Sequence, residues 1–248
     1  MMQGGIKLGK IIAVVSGKGG TGKTSFTANV GLALAALGCH TLCLDCDITL
    51  RNLDLALGLS DRALMDFTDV IAGRCTLEDA VVQHPKYPKL HLLTAPLSAR
   101  PVPIAPEQMK ALLDRIRQTY DYCLIDAPAG LGMGFHLASD YADRAVVVTN
   151  TDASSLRDAQ HTVMELDRFP AGALHLVVNR VRKKLLRQLH ATIDDAIDKA
   201  GLPLLGVVPE DDALPLCMNR GVPILLADGQ SAATAYRNIA KRLQGERV

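Results

Sequence analysis

The sequence predicts a doubly wound α/β fold, with a mostly parallel sheet of seven to eight strands and helices on both faces. Three observations carry this expectation. Short β-branched and apolar runs recur along the 248-residue chain, and several lack alternation, as strands covered on both faces do. Helical patterns separate these runs, and strand and helix in alternation close into parallel units. The first run leads directly into the glycine-rich segment SGKGGTGKTS, residues 16–25, and then into a helical pattern.

Taken in order, strands are expected over 11–16, 41–46, 90–94, 122–126, 145–149, 174–179 and 204–208. After the glycine loop, Phe26, Val30, Leu34 and Leu37 recur at helical spacing, and Gly38 supplies a stop. Pro106 opens a further helix at a position where its missing N–H costs nothing. In SSLRD, Ser155 and Asp158 have the spacing of an N-cap pair. The last helix, from Ser231 to about Leu243, places Tyr236, Ile239, Ala240 and Leu243 on one stripe. The Pro-rich stretch 97–107 reads as a surface connection. No repeat or linker divides the chain, so one domain is expected over 1–248, with 1–9 as a flexible N-terminal extension.

Composition is that of an ordinary globular chain, 48% hydrophobic and 21% charged, and a net charge of +1 gives no general pull towards nucleic acid or a membrane. A partner of either kind must be held by a local patch. The longest apolar run, VGLALAALGC, falls short of the roughly 18 residues that a spanning helix needs. KLGKIIAVVSG near the start feeds the glycine loop and reads as a buried strand, so a cytoplasmic protein is expected. Cys43 and Cys46 form a C-x-x-C, but residues three apart on a strand point to opposite faces. Buried structural thiols are therefore expected, not a metal or redox pair.

The glycine loop carries the chemistry. Gly17, Gly22, Lys23 and Thr24 match G-x-x-x-x-G-K-[ST] between a strand and a helix. Glycines let successive N–H groups turn inward and make an anion nest at a helix N-terminus. Lys23 is then the point charge for the β- and γ-phosphates, and the Thr24 hydroxyl can ligate Mg²⁺. Such a loop needs acidic residues at neighbouring strand ends. Asp126 in YCLIDAPAG is placed to hold Mg²⁺ through water. Asp45 and Asp47 stand at the tip of the strand after the loop helix, with Asp47 placed to orient the attacking water.

KGGTGKT, with Lys18 as its first residue, resembles the deviant Walker A motif, KGGxGK[ST], of the ParA/MinD family of ATPases. DCDITLRNLDLALGL, DAPAG, TNTDASSLRDA, GVVPEDDAL and NRGVPILL extend the resemblance from about Lys10 to Leu243. Thr21 stands where the family usually has Val, and Thr49 where it usually has Gly. The resemblance implies an ATP hydrolase using ATP/ADP and Mg²⁺, which dimerises on ATP binding and acts as a spatial switch in cell-division site placement. It implies that Lys18 reaches the phosphates of ATP in the partner subunit, so that the γ-phosphate favours a homodimer. It places Gly17, Lys18, Gly19, Gly20, Thr21, Gly22, Lys23, Thr24 and Ser25 around the phosphates, and Thr24, Asp45 and Asp126 around the metal. Asn52 is implied near the nucleotide at the dimer interface, Asn179 on the adenine, and Pro209 and Glu210 along the base pocket. Arg157 and Asp158 fall where regulatory partners of the MinC/MinE kind meet relatives. A flagellar-number regulator, sharing the IAGRCTLEDAV-type segment, a ParA-type partitioning ATPase and a nucleotide-gated scaffold with negligible turnover are the competing readings.

Division-site members of the family usually finish with a short amphipathic helix that lies on the inner face of the membrane. In this sequence Gln244 to Val248 follow the last core-type helix, too few for two to three turns, so membrane contact by that route is not predicted. Arg180, Arg182, Lys183, Lys184 and Arg187 form a basic run. It reads first as a solvated face, and second as a contact for lipid headgroups or the DNA backbone.

Overall fold

A computed structural model describes residues 8–97, 104–188, 192–226 and 231–248. Its strands are β1 (Lys10–Val15), β2 (Thr41–Asp45), β3 (Val82–His84), β4 (Tyr87–Leu93), β5 (Tyr122–Asp126), β6 (Arg144–Thr149), β7 (Leu174–Val181) and β8 (Leu204–Pro209). The helices are α1 (Lys23–Ala36), α2 (Leu53–Leu57), α3 (Phe67–Ile71), α4 (Leu77–Ala80), α5 (Pro106–Thr119), α6 (Met133–Ser139), α7 (Ala153–Glu165), α8 (Lys183–Gln188), α9 (Ile193–Ala200), α10 (Ala213–Asn219) and α11 (Ser231–Leu243). The eight strands lie in the order β3-β4-β2-β5-β1-β6-β7-β8. All neighbours pair in parallel except β3 with β4. The expected doubly wound sheet is the observed one.

The seven expected strands are present. β3 escaped the sequence reading because three residues, with burial running from half-exposed to buried, carry no period to detect. Sheet register places alternate residues of β1 in opposite layers. Ile11, Ala13 and Val15 join the core beneath α5, α6 and α7, and Ile12 and Val14 join the core built around α1 and α11. Cys46 lies in the first layer and Cys43 in the second, as the strand argument expected. Each large apolar side chain so buried contributes roughly 1.5–3 kcal/mol.

Helix α1 is buried nearly all round, from Lys23 to Ala35. A helix enclosed on every side shows no single apolar stripe, which corrects the expectation for Leu37: it is the C-cap residue and 42% exposed. Gly38, with φ of 94°, ends the turn as expected. At Gly31 a Cβ would lie 2.3 Å from the Cys43 sulfur, so the close approach of α1 to β2 requires glycine. Pro106 occupies the first turn of α5. The stripe Tyr236, Ile239, Ala240 and Leu243 on α11 is buried.

Two boundaries differ from expectation. The α7 cap is Asp152, whose side chain accepts from the Ser155 N–H, so Ser155 and Asp158 are helical residues and not a cap pair. The Asp at 152 wins because an N-cap acceptor must precede the first helical turn. Gly9, expected in the N-terminal extension, is buried and its N–H donates to Arg117 O at 2.8 Å. Part of the Pro-rich connection, 98–103, lies outside the described residues, as do 1–7. Among the described residues no helix is long and apolar enough to cross a membrane.

Candidate functional site

Parallel strands bring their C-terminal ends to one edge of the sheet, and ligands bind there. Here the edge gathers the glycine loop after β1, Asp45 and Asp47 after β2, Asp126 after β5, Asp152 after β6 and Asn179 near the end of β7. Asp126 is the register partner of both Val14 and Asp45, so the central strand order alone sets the two carboxylates beside the loop. A cleft of about 430 Å³ opens over this edge. Gly19, Gly20, Gly22, Lys23, Thr24 and Ser25 line it, together with Asp47, Asn52 and Ala129.

The loop geometry follows from its glycines. Gly20 and Gly22 hold φ of 80° and 93°, the left-handed region that favours glycine. At Gly22 a Cβ would also lie 2.3 Å from Asn179 Nδ2. At Gly17 it would lie 2.6 Å from the Asp158 carbonyl oxygen, so α7 packs directly on the start of the loop. The free N–H groups of the first turn of α1 then face the cleft with no acidic side chain in that turn to compete for them.

The two lysines have different surroundings. Lys23 is buried and its Nζ donates to Ser16 Oγ at 2.8 Å. Burial pulls its ammonium below the usual lysine range, against the opposing pull of Asp126 and Asp47. Lys18 lies on the rim, its side chain 36% exposed, and its Nζ donates to Ser154 Oγ at 2.8 Å and pairs with Asp152 Oδ1 at 3.3 Å. Burial opposes the ionised form of Asp152, but the hydroxyls of Ser155 and Ser154, the Ser155 N–H and Lys18 hold its carboxyl well below the usual range. Asp152 and Ser154 were missed by the sequence reading. The signal was present in TNTDASS, where an Asp precedes a serine pair at a helix start.

The three acidic residues divide by role. Thr24 Oγ1 donates to Asp126 Oδ2 at 2.6 Å, inside the cleft wall. Burial pushes Asp126 up to about 7, the nearby Asp45 adds to this, and Thr24 and Lys23 oppose it. Asp45 is fully buried, and its oxygens accept from Asp47 N at 2.9 Å and Leu53 N at 3.1 Å. Burial pushes it up to about 6. Each of its oxygens accepts one backbone hydrogen bond, so Asp45 anchors the loop that carries Asp47. Asp47 itself faces the cleft, as a residue acting on water must.

Asn179 is 1% exposed, its Nδ2 donates to Thr21 O at 2.8 Å, and its Oδ1 has no partner. A buried orphan acceptor is costly unless a ligand donor meets it, and this one stands behind Gly22. Pro209 and Glu210 line a separate depression with Val181, Leu185 and Val207, and Glu210 is ion-paired with Arg182. Of the other expected nucleotide residues, Gly19, Gly20, Gly22, Lys23, Thr24, Ser25 and Asn52 line the cleft, and Gly17, Lys18, Thr21 and Asn179 do not. Arg180 on β7 and Met218 and Asn219 on α10 also line the cleft and were not foreseen there; α10 reaches it only through tertiary packing. Arg157 is exposed on α7 and Asp158 half-buried. The basic run divides: Arg182 is paired, Arg180 faces the cleft, and Lys184 and Arg187 are exposed on α8.

The donor set fits a nucleotide with Mg²⁺. It offers backbone N–H groups, a buried ammonium, a hydroxyl hydrogen-bonded to a carboxylate, and an unpartnered amide oxygen, which suit phosphate, a hard cation and a base in turn. Among the described residues no group of three or more His, Cys, Asp or Glu could hold a metal by itself. Mg²⁺ typically takes one or two protein oxygens together with water and phosphate.

The family model described as the CobQ/CobB/MinD/ParA nucleotide binding domain matches residues 12–224. The septum site-determining protein MinD of Bacillus subtilis is 39% identical over 244 residues, covering 97% of this chain and 91% of that protein. Its counterpart in Synechocystis is 38% identical with the same coverage. Among solved structures, the Aquifex aeolicus MinC:MinD cell division complex matches with a TM-score of 0.89 and 37% identity, over 96% of this chain and 97% of that one. MinD from Pyrococcus horikoshii complexed with Mg-ADP matches with a TM-score of 0.83 and 31% identity, over 95% and 96%.

Proposed function

This chain belongs to the CobQ/CobB/MinD/ParA nucleotide-binding family, and we propose that it is a MinD-like, Mg²⁺-dependent ATPase that dimerises on ATP and acts as a spatial switch in placing the division site. The relatives support this reading, since septum site-determining proteins are 38% and 39% identical to this chain and one solved neighbour is a complex with MinC. The observation that carries it is the separation of the two lysines. Lys23 is buried in its own cleft, whereas Lys18 is held on the rim by side chains from which it can be released.

In this mechanism the loop amides and Lys23 hold the β- and γ-phosphates. Thr24 and Asp126 would hold Mg²⁺, which when bound neutralises charge on the phosphates. Asn179 Oδ1 accepts from the exocyclic amine of adenine. Lys18 leaves Asp152 and Ser154 for the phosphates in the partner subunit, so the dimer forms only while the γ-phosphate supplies charge to meet it. Asp47 orients water and receives its proton as the water oxygen bonds to the γ-phosphorus and the bond to ADP breaks. The exposed face of α7 around Arg157 is the proposed site for a MinC-like partner.

Sedimentation with ATP tests the switch. Asp47→Ala is expected to give a stable dimer with ATP and a monomer with ADP, and Lys18→Ala a monomer with both. A dimer that forms regardless of nucleotide would sink the reading.

A further inference from the structure

Asp47 does not wait in the cleft with both oxygens available. Its Oδ1 accepts three hydrogen bonds from its own loop: from Thr49 N at 3.1 Å, Leu50 N at 3.1 Å and the Thr49 hydroxyl at 2.5 Å. A carboxylate oxygen offers about two lone pairs, so three donors saturate it, and the hydroxyl makes the shortest of the three contacts. The backbone donors are fixed by the turn, and the hydroxyl is the only one of the three that a side chain supplies. Among the described residues no donor reaches Asp47 Oδ2, so the three contacts to Oδ1 are what hold the carboxylate in this orientation. The turn is itself held rigidly, because Asp45 accepts from Asp47 N and Leu53 N on either side of it.

We propose that Thr49 is a positioning residue that clamps Asp47 in a resting orientation and thereby slows ATP hydrolysis. The inference rests on the reading of Asp47 as the residue that receives the proton from water. Before it can do so in the assembled site, the carboxylate must turn towards the water, and the Thr49 hydroxyl has to let go first. The clamp acts on the chemical step and not on nucleotide capture, since Thr49 does not line the cleft. Its removal should therefore raise kcat and leave KM unchanged, the signature of an interaction that is weaker in the transition state than in the ground state. Thr49 is exposed, so the side chain can be changed without opening the core.

The test uses the full chain with Mg²⁺ and ATP, at protein concentrations where the wild type is dimeric. Thr49→Val keeps the branched shape and removes the hydroxyl, and is expected to raise kcat about three- to tenfold with KM unchanged. Thr49→Ser restores the donor and should return kcat to the wild-type value. A merely structural Thr49 would move neither kcat nor the serine rescue. Unchanged or lower kcat in Thr49→Val, with Thr49→Ala agreeing, overturns the clamp. Asp47→Asn in the same assay separates the two ideas: lost turnover supports the role of Asp47, and retained turnover overturns that role whatever Thr49 does.

Discussion

Asp152→Asn should strengthen the ATP-dependent dimer. Asn caps helices about as well as Asp, so α7 keeps its acceptor for the Ser155 N–H, and only the charge that holds Lys18 is lost. The side chains of Lys18 and Asp152 are 36% and 52% exposed, so their pair is solvent-screened and worth about 0.2–1 kcal/mol. Taking about 0.5 kcal/mol for the charge, with the Ser154 hydroxyl contact kept in both proteins, its loss raises the availability of Lys18 about twofold. A two-fold dimer uses two such lysines, so the dissociation constant should fall about fivefold. Sedimentation of Asp152→Asn against Asp152, both in an Asp47→Ala background to stop turnover, measures this at saturating ATP. High salt should shrink the difference, because it weakens the tether in the reference protein. An unchanged or weaker dimer would refute the tether, and a difference that persists with ADP would show that the effect lies elsewhere than in the switch.

Two further outcomes test the cleft itself. Asn179→Ala removes the bond to Thr21 O and the buried Oδ1, and should weaken ATP and ADP alike by about tenfold, or about 1.4 kcal/mol, in calorimetric titration; equal affinities in variant and parent would detach Asn179 from the base. The pH dependence of stability follows from Asp45 and Asp126, whose carboxyls burial raises from 3.8 to about 6 and about 7. A carboxyl that binds its proton more tightly when folded stabilises the fold at low pH and loses that contribution as pH rises through its folded value. The metal- and nucleotide-free protein should therefore melt at progressively lower temperature from about pH 4 to about pH 7 and level off above that. Saturating Mg·ADP should flatten the profile, and a melting temperature that climbs across this window without ligand would contradict the assignment.

The glycine loop and the strand-end acids were legible in the sequence because they are local. A strand, seven residues and a helix fix the anion nest through φ angles that glycine alone adopts readily, and the match needs no knowledge of what lies across the sheet. Apolar runs located seven strands for the same reason, and missed β3, which is held by its pairing with β4 and not by a pattern of its own. Asp45 shows the limit from the other side. The sequence placed it correctly at a strand end, but whether its oxygens face a metal or the backbone of the next turn depends on how that turn folds back.

What the sequence determined was the chemistry on offer: one phosphate loop, two lysines, three acids and an asparagine at strand ends. What only the tertiary structure decided was which of these meet. Lys18 finds Asp152 at a separation of 134 residues and Asn179 finds Thr21 at 158. Both contacts exist because β6 and β7 follow β1 in the sheet, on the side away from β5 and its Asp126. Hydrophobic periodicity says that a strand is buried but not beside which neighbour. That order comes from helix packing over the whole sheet, and it sets the distance from a rim lysine to its tether.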